Sequence, residues 1–195
     1  MARDLRLQRL LDRARELGAE GPSDEAAALL RGALERHPRD AELRLTLALE
    51  VAESEPAESL RLLEQAAELA HDDPLTLFRV ASSLRAREAH EASVRAARRV
   101  GELVGEDDFL FAPDLQHLSG LLARDEGDDE RAEPLLRAAF AAEPESSGHG
   151  RWLAGLLMDQ DRYDEALDVV QLTLEHRPGD KNLLEFRDWL EQELS

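Results

Sequence analysis

The residues with the widest chemical reach in this chain are six histidines, His37, His71, His90, His117, His149 and His176. Neutral imidazole binds metals and moves protons near neutral pH. Three of the six stand at the ends of amphipathic segments, where an imidazole complements a helix dipole and caps free carbonyls. His90 and Glu91 begin like a zinc-protease pair, but position 94 is Val and no second histidine follows. Adjacent carboxylates such as Asp128 and Asp129 fall where helices start, and acids are expected there without catalysis. Cysteine is absent, which removes disulfides, thiolate nucleophiles and thiolate metal sites together. There is no phosphate-cradling glycine loop, dinucleotide fingerprint or nucleophile elbow. These residues predict a non-enzyme with no catalytic residues, no metal ligands and no cofactor.

The elements that carry these side chains are announced by composition. In 195 residues, 43% are hydrophobic but only 4% aromatic, so the core is built from Leu, Ala and Val, a helix-forming set. The net charge is −19 and it is unevenly spread. Residues 1–100 hold 16 basic and 19 acidic side chains, whereas residues 101–195 hold 8 and 24. Such a field repels DNA, RNA and anionic lipid, which are held by Lys and Arg neutralising phosphates, so neither nucleic acid nor membrane is an expected partner. The one basic stretch, Arg85, Arg87, Arg95, Arg98 and Arg99, reads as a solvated helix face. No apolar run approaches the roughly 20 residues of a membrane span. The charged N-terminus lacks an export signal, so a cytoplasmic location is expected. Arg outnumbers Lys 23 to 1, which points to a GC-rich bacterial genome.

Self-comparison of the chain aligns small residues at Ala26, Ser59, Ala92, Ala132 and Ala166. Four residues on come Leu30, Leu63, Ala96, Leu136 and Val170, and seven on come Ala33, Ala66, Arg99, Ala139 and Thr173, with Arg99 the misfit. The three columns share one helical face. A preceding segment carries its own column, Ala48, Ala81, Gly120 and Ala154, so each period contains two helices. Pro38, Pro144 and Pro178 follow second helices, and Gly21 and Gly127 fall between the two. The alternation of Leu43, Leu45, Leu47 and Leu49 imitates a strand, but an isolated strand in a helical array has nothing to pair with, so helix is expected there. That helix is apolar nearly all round.

This pattern resembles the tetratricopeptide repeat family, whose roughly 34-residue helix-turn-helix unit has small residues at set positions and a closing proline. Residues 147–180 carry the resemblance best, through Leu153, Ala154, Leu157, Tyr163, Ala166, Val170 and Pro178. The resemblance implies an all-α fold, a right-handed α-solenoid of about five hairpins in a single domain over 1–195. The repeats fall at about 2–40, 41–73, 74–107, 113–146 and 147–180, with an insertion at about 104–112 and a capping helix at about 180–194. In the family the first helices line a concave groove that binds peptides or helices. Transferred position by position, that groove takes Leu11 and Arg15, Leu45 and Leu49, Phe78 and Ser82, His117 and Leu121, and Arg151 and Gly155. The family subgroup that captures C-terminal carboxylates uses Lys and Asn on these helices. Here the only Lys and Asn, Lys181 and Asn182, lie beyond the last repeat, which disfavours that mode.

The insertion holds Phe109 and Phe111, which either plug a gap between hairpins or contact a partner. Three modes of action follow. The first is a scaffold or adaptor holding a peptide or amphipathic helix of another protein in the groove. The second is an acidic surface acting as chaperone or inhibitor of a basic protein. The third is a structural module that self-associates as a homo-oligomer.

Overall fold

The computed structural model describes residues 5–19, 21–104 and 112–194, and their regular structure is entirely helical. In chain order the helices are α1 (Leu5–Leu17), α2 (Asp24–Arg36), α3 (Ala41–Glu50), α4 (Pro56–Leu69), α5 (Pro74–Arg85) and α6 (His90–Val104). There follow α7 (Ala112–Asp125), α8 (Asp129–Ala142), α9 (Ser147–Asp159), α10 (Tyr163–His176) and α11 (Lys181–Glu193). Successive pairs form five hairpins, and α11 closes the last of them, as the repeat columns predict. No described helix is long and apolar enough to cross a membrane. The chain divides into two compact units, Met1–Gly105 (unit 1) and Glu106–Ser195 (unit 2). The expected insertion falls at this division, and Phe109 and Phe111 lie outside the described residues.

Six helices start where the sequence supplies an acceptor, whereas the N-cap residues of α4 and α10, Glu55 and Arg162, make no side-chain cap bond. Ser23, Asp40, Asp73, Asp128, Ser146 and Asp180 all cap a free N–H with the side chain. His37 is the C-cap of α2 and His176 ends α10, which places both imidazoles at helix C-termini. The turns inside the hairpins obey one rule. In four hairpins the residue seven positions after the small first-helix residue has a left-handed backbone: Gly21, Glu88, Gly127 and Asp161 follow Ala14, Ala81, Gly120 and Ala154. The second hairpin is one residue shorter between its small residues and has no such residue. A glutamate pays for this conformation through its Cβ, and a glycine does not. Since Glu88 is exposed, Glu88→Gly is expected to stabilise the protein by about 0.5–1 kcal/mol. Thermal melting beside wild type checks this, and a lowered midpoint would contradict it.

Packing corrects one column. In α6 the buried residues are Ser93, Ala96, Ala97 and Val100, so Ala96 of the predicted column is buried, while Ala92 is only partly buried and Arg99 is exposed. Ser93 is the counterpart of Ser59. The Ser59 hydroxyl donates to the Ala48 carbonyl at 2.6 Å, and the Ser93 hydroxyl donates to the Ala81 carbonyl at 2.8 Å. Both tie a second helix to the small residue of its first helix, and a serine that bonds a neighbouring carbonyl is as compact as alanine at a crossing. The third repeat is thus in register one residue later, and Arg99 ceases to be a misfit.

Unit 1 is filled by leucines, among them Leu11, Leu30, Leu43, Leu45, Leu47, Leu63 and Leu84. The strand-like stretch 43–49 lies within α3, with Leu43, Leu45, Thr46, Leu47 and Ala48 all buried. Unit 2 is centred on Leu136, Leu153, Leu156, Leu157 and Val170, with Leu183 and Leu190 of α11 sealing its end. Trp189 stands at the rim of that seal, 39% exposed, with its ring 6.1 Å from that of Tyr163.

The second helices of unit 2 are joined by a ring of charges. Arg137 pairs with Glu133 at 2.8 Å and Glu165 at 2.7 Å, and Arg162 pairs with the same two glutamates at 2.8 and 2.6 Å. Hydrogen bonds from Arg162 and then Arg137 hold the Glu165 carboxyl down to about 2, against an ordinary 4.5. At Glu133 burial pushes upward, yet the bonds from Arg137 and Arg162 together outweigh it and its pKa lies below the ordinary value. A carboxyl depressed on folding contributes stability above its unfolded pKa and loses it as pH falls toward its folded one. Wild type is therefore expected to lose more thermal stability than Glu165→Gln as pH drops from about 5 to about 2.5. Parallel melting curves for the two proteins would contradict this.

Candidate partner-binding groove

The residues predicted to line the inner face separate into three groups. Leu11, Leu45 and Leu121 are core residues, at 0%, 0% and 6% exposure, and offer no surface to a partner. Phe78, Ser82 and His117 are half-buried. Leu49, Arg15 and Arg151 are exposed, and Gly155 is partly so. The correction at Leu11 and Leu45 has a physical reason. In unit 1, α3 packs against both α1 and α5, and Glu42 of α3 pairs with Arg15 on one side and with Arg79 on the other, the latter at 3.4 Å. Drawn together this way, the first helices cover their own leucines and present an Arg15–Glu42–Arg79 ladder, beside which Leu49 stays 42% exposed.

Unit 2 carries a recess instead. Its volume is about 450 Å³, and it is bounded by α9 and α11 with Arg124 reaching in from α7. The apolar part is Trp152, Gly155 and Met158 of α9 and Phe186 of α11. Successive spacings of three residues along α9 put its three members on one helical face. Gly155 leaves room in the floor, where a Cβ would first meet the Arg124 guanidinium at 3.5 Å. The polar rim is Arg124, Arg151, Asp159 and Asn182. Arg124 pairs with Asp159, and its guanidinium carbon lies 5.5 Å from the Trp152 ring centre, a cation–π distance that fixes the indole at the edge of the recess.

Arg151 and Gly155 both line this recess, while Trp152, Met158, Phe186 and Arg124 were not singled out by the sequence. Trp152 was detectable in principle. It is one of two tryptophans and stands next to a residue assigned to the inner face, so a one-residue allowance in register includes it. Asn182, set aside as lying beyond the last repeat, is on the rim because α11 supplies the far wall. A second hollow of about 400 Å³ lies in unit 1 between α4 and α6 over Leu77, edged by Glu64, Glu68, Arg95 and Arg99, and is the more polar of the two.

The tetratricopeptide repeat family model matches residues 123–189, which run from the end of α7 into α11 and so contain most of the recess. No curated protein sequence matches the chain. Among solved structures, PilF of Pseudomonas aeruginosa is similar with a TM-score of 0.71 at 17% identity, over 87% of this chain and 75% of that one. MamA of Desulfovibrio magneticus RS-1, from its residue 41 onward, gives 0.69 at 13% identity over 92% and 99%. YrrB, described as a TPR protein with an unusual peptide-binding site, gives 0.56 at 16% identity over 84% and 82%. Identities this low speak for the fold. By the family model over its C-terminal third and by fold over most of its length, the protein matches the helical-repeat proteins of the tetratricopeptide repeat family.

Proposed function

We propose that this protein is a non-enzymatic scaffold that binds another protein, and that it does so by holding a peptide or amphipathic helix against the recess of unit 2. One observation carries the reading: Trp152, Met158 and Phe186 converge around Gly155 inside a rim of Arg124, Arg151, Asp159 and Asn182. An aromatic, a flexible thioether and a second aromatic around a space left by a glycine form an apolar anchor pocket, and a charged rim adds orientation. The fold likeness to YrrB, itself described as having a peptide-binding site, supports the same reading. The affinity of such a pocket comes from desolvated apolar area and survives salt.

A second reading rests on charge. Residues 101–195 carry 24 acidic against 8 basic side chains, a field suited to a basic protein partner. Salt separates the two, because exposed charge pairs are screened within about a Debye length of 8–10 Å. The test is affinity capture from lysate by wild type and by Trp152→Arg/Phe186→Arg, each washed at low and high salt after circular dichroism has shown equal helicity. A protein kept by wild type through high salt and absent from the variant supports the recess. Retention by both at low salt, with loss from both at high salt, moves the binding to the acidic surface.

A further inference from the structure

A cluster at the start of α7, the end of α8 and the start of α9 includes none of the residues that line the recess. His149, in the first turn of α9, is buried, with its side chain only 4% exposed, yet its Nδ1 has no hydrogen-bond partner among the described residues. Two carboxylates flank the ring at distances too long for hydrogen bonds. Asp114 Oδ1, in the first turn of α7, is 3.6 Å from Nε2, and Glu143 Oε2, at the C-cap of α8, is 3.9 Å from Nδ1. One donor atom from each of the three residues lies within 4.8 Å of the others. The ring of His117, one turn along α7 from Asp114, packs against that of His149 with centroids 4.6 Å apart.

We propose that Asp114, Glu143 and His149 form a binding site for a divalent transition-metal ion, with Zn2+ the fitting occupant. Ligand atoms about 2.0–2.2 Å from zinc stand roughly 3.4 Å apart around a tetrahedron, against 4.8 Å or less here, so with the unpartnered Nδ1 as the ring donor Glu143 moves little and Asp114, now nearest Nε2, turns further to share the ion. The buried imidazole is already packed in place, while the Asp114 carboxylate is exposed and that of Glu143 is half-exposed, so both have room to turn. Two carboxylates balance the charge of a divalent ion, and water completes the coordination. An imidazole donor selects zinc and its neighbours over magnesium and calcium, which take oxygen. The His117 ring packs against the ligating ring at a 42° tilt and limits its rotation. The ion would join the start of α7, the end of α8 and the start of α9, a clamp between the two hairpins of unit 2.

The test uses the full, untagged chain stripped with a chelator and titrated with ZnCl2 by calorimetry, with Co2+ absorption as a second readout. One ion per chain is expected, together with cobalt ligand-field bands and a raised melting midpoint. In Asp114→Asn/Glu143→Gln, which leaves the buried ring in place, the affinity is expected to fall at least about tenfold with metal-free melting unchanged. His71→Gln/His176→Gln, which alters only exposed histidines, is expected to bind as wild type does. No binding by wild type, binding that survives the double carboxamide substitution, or binding lost with the exposed histidines would each overturn the proposal.

Discussion

Truncating Leu136 to alanine is expected to lower the stability of unit 2 by about 2–5 kcal/mol, toward the upper end of that range. Leu136 is fully buried and lies directly over Gly120, where a Cβ would come within 2.8 Å of its Cγ and 2.9 Å of its Cδ2. The isobutyl group therefore occupies the volume that a side chain at 120 would fill. Removing it leaves a cavity with no neighbouring side chain on that wall to collapse inward, and cavity volume adds to the lost transfer energy. The same geometry predicts an unequal cycle. Gly120→Ala alone gains about 1 kcal/mol of helix propensity but must displace Leu136. In Gly120→Ala/Leu136→Ala the new methyl enters space vacated by the isobutyl group and keeps only a close approach to the Ala132 carbonyl oxygen at 3.3 Å, so the double variant is expected to be more stable than Leu136→Ala alone. Denaturant unfolding of the four proteins checks this, and strict additivity would contradict it.

The second large effect concerns binding. Trp152→Ala is expected to cost a partner about 2 kcal/mol, roughly a 30-fold rise in Kd, with little change in folding. Trp152 is half-buried, at the edge of the core of unit 2 rather than inside it, and its ring is held beside Arg124 before any partner arrives. A preoriented indole gives area at low entropic cost, which is why tryptophan dominates binding hot spots. Arg151→Ala, at an exposed rim position, is expected to cost far less at high salt than at low. Equal losses for both substitutions at every salt concentration would mean that the recess is not the anchor. Leu121→Arg is no test of the groove, because Leu121 is 6% exposed and a charge there disrupts the core.

The architecture was legible because helical hairpins repeat a small residue wherever two helices cross, and Ala48, Ala81, Gly120 and Ala154 do so plainly, whereas Ala14, the counterpart in the first hairpin, was not picked out. The slip in α6 arose where that signal is ambiguous. Ala92 and Ser93 are both small, and only the bond from Ser93 to the Ala81 carbonyl shows which one faces the crossing. The inner face was legible only in part, since whether a first-helix leucine is exposed depends on how closely its neighbours approach. The Arg15–Glu42–Arg79 ladder closes that face over Leu45, whereas the recess beside Gly155 opens it. Ion pairs between helices a repeat apart leave no periodic trace in a sequence. The meeting of His117 and His149 is hidden for the same reason, 32 residues apart in the chain and in ring contact in the fold.

Site-specific photo-crosslinking tests the central claim most directly. A photoreactive phenylalanine is placed at Met158 inside the recess or at Leu172, an exposed residue on α10, and each protein is irradiated in lysate at high salt. A discrete adduct at position 158, reduced by Trp152→Ala and absent at position 172, is the predicted result. An adduct at 172 with none at 158 would contradict the account and place the partner on the second helices.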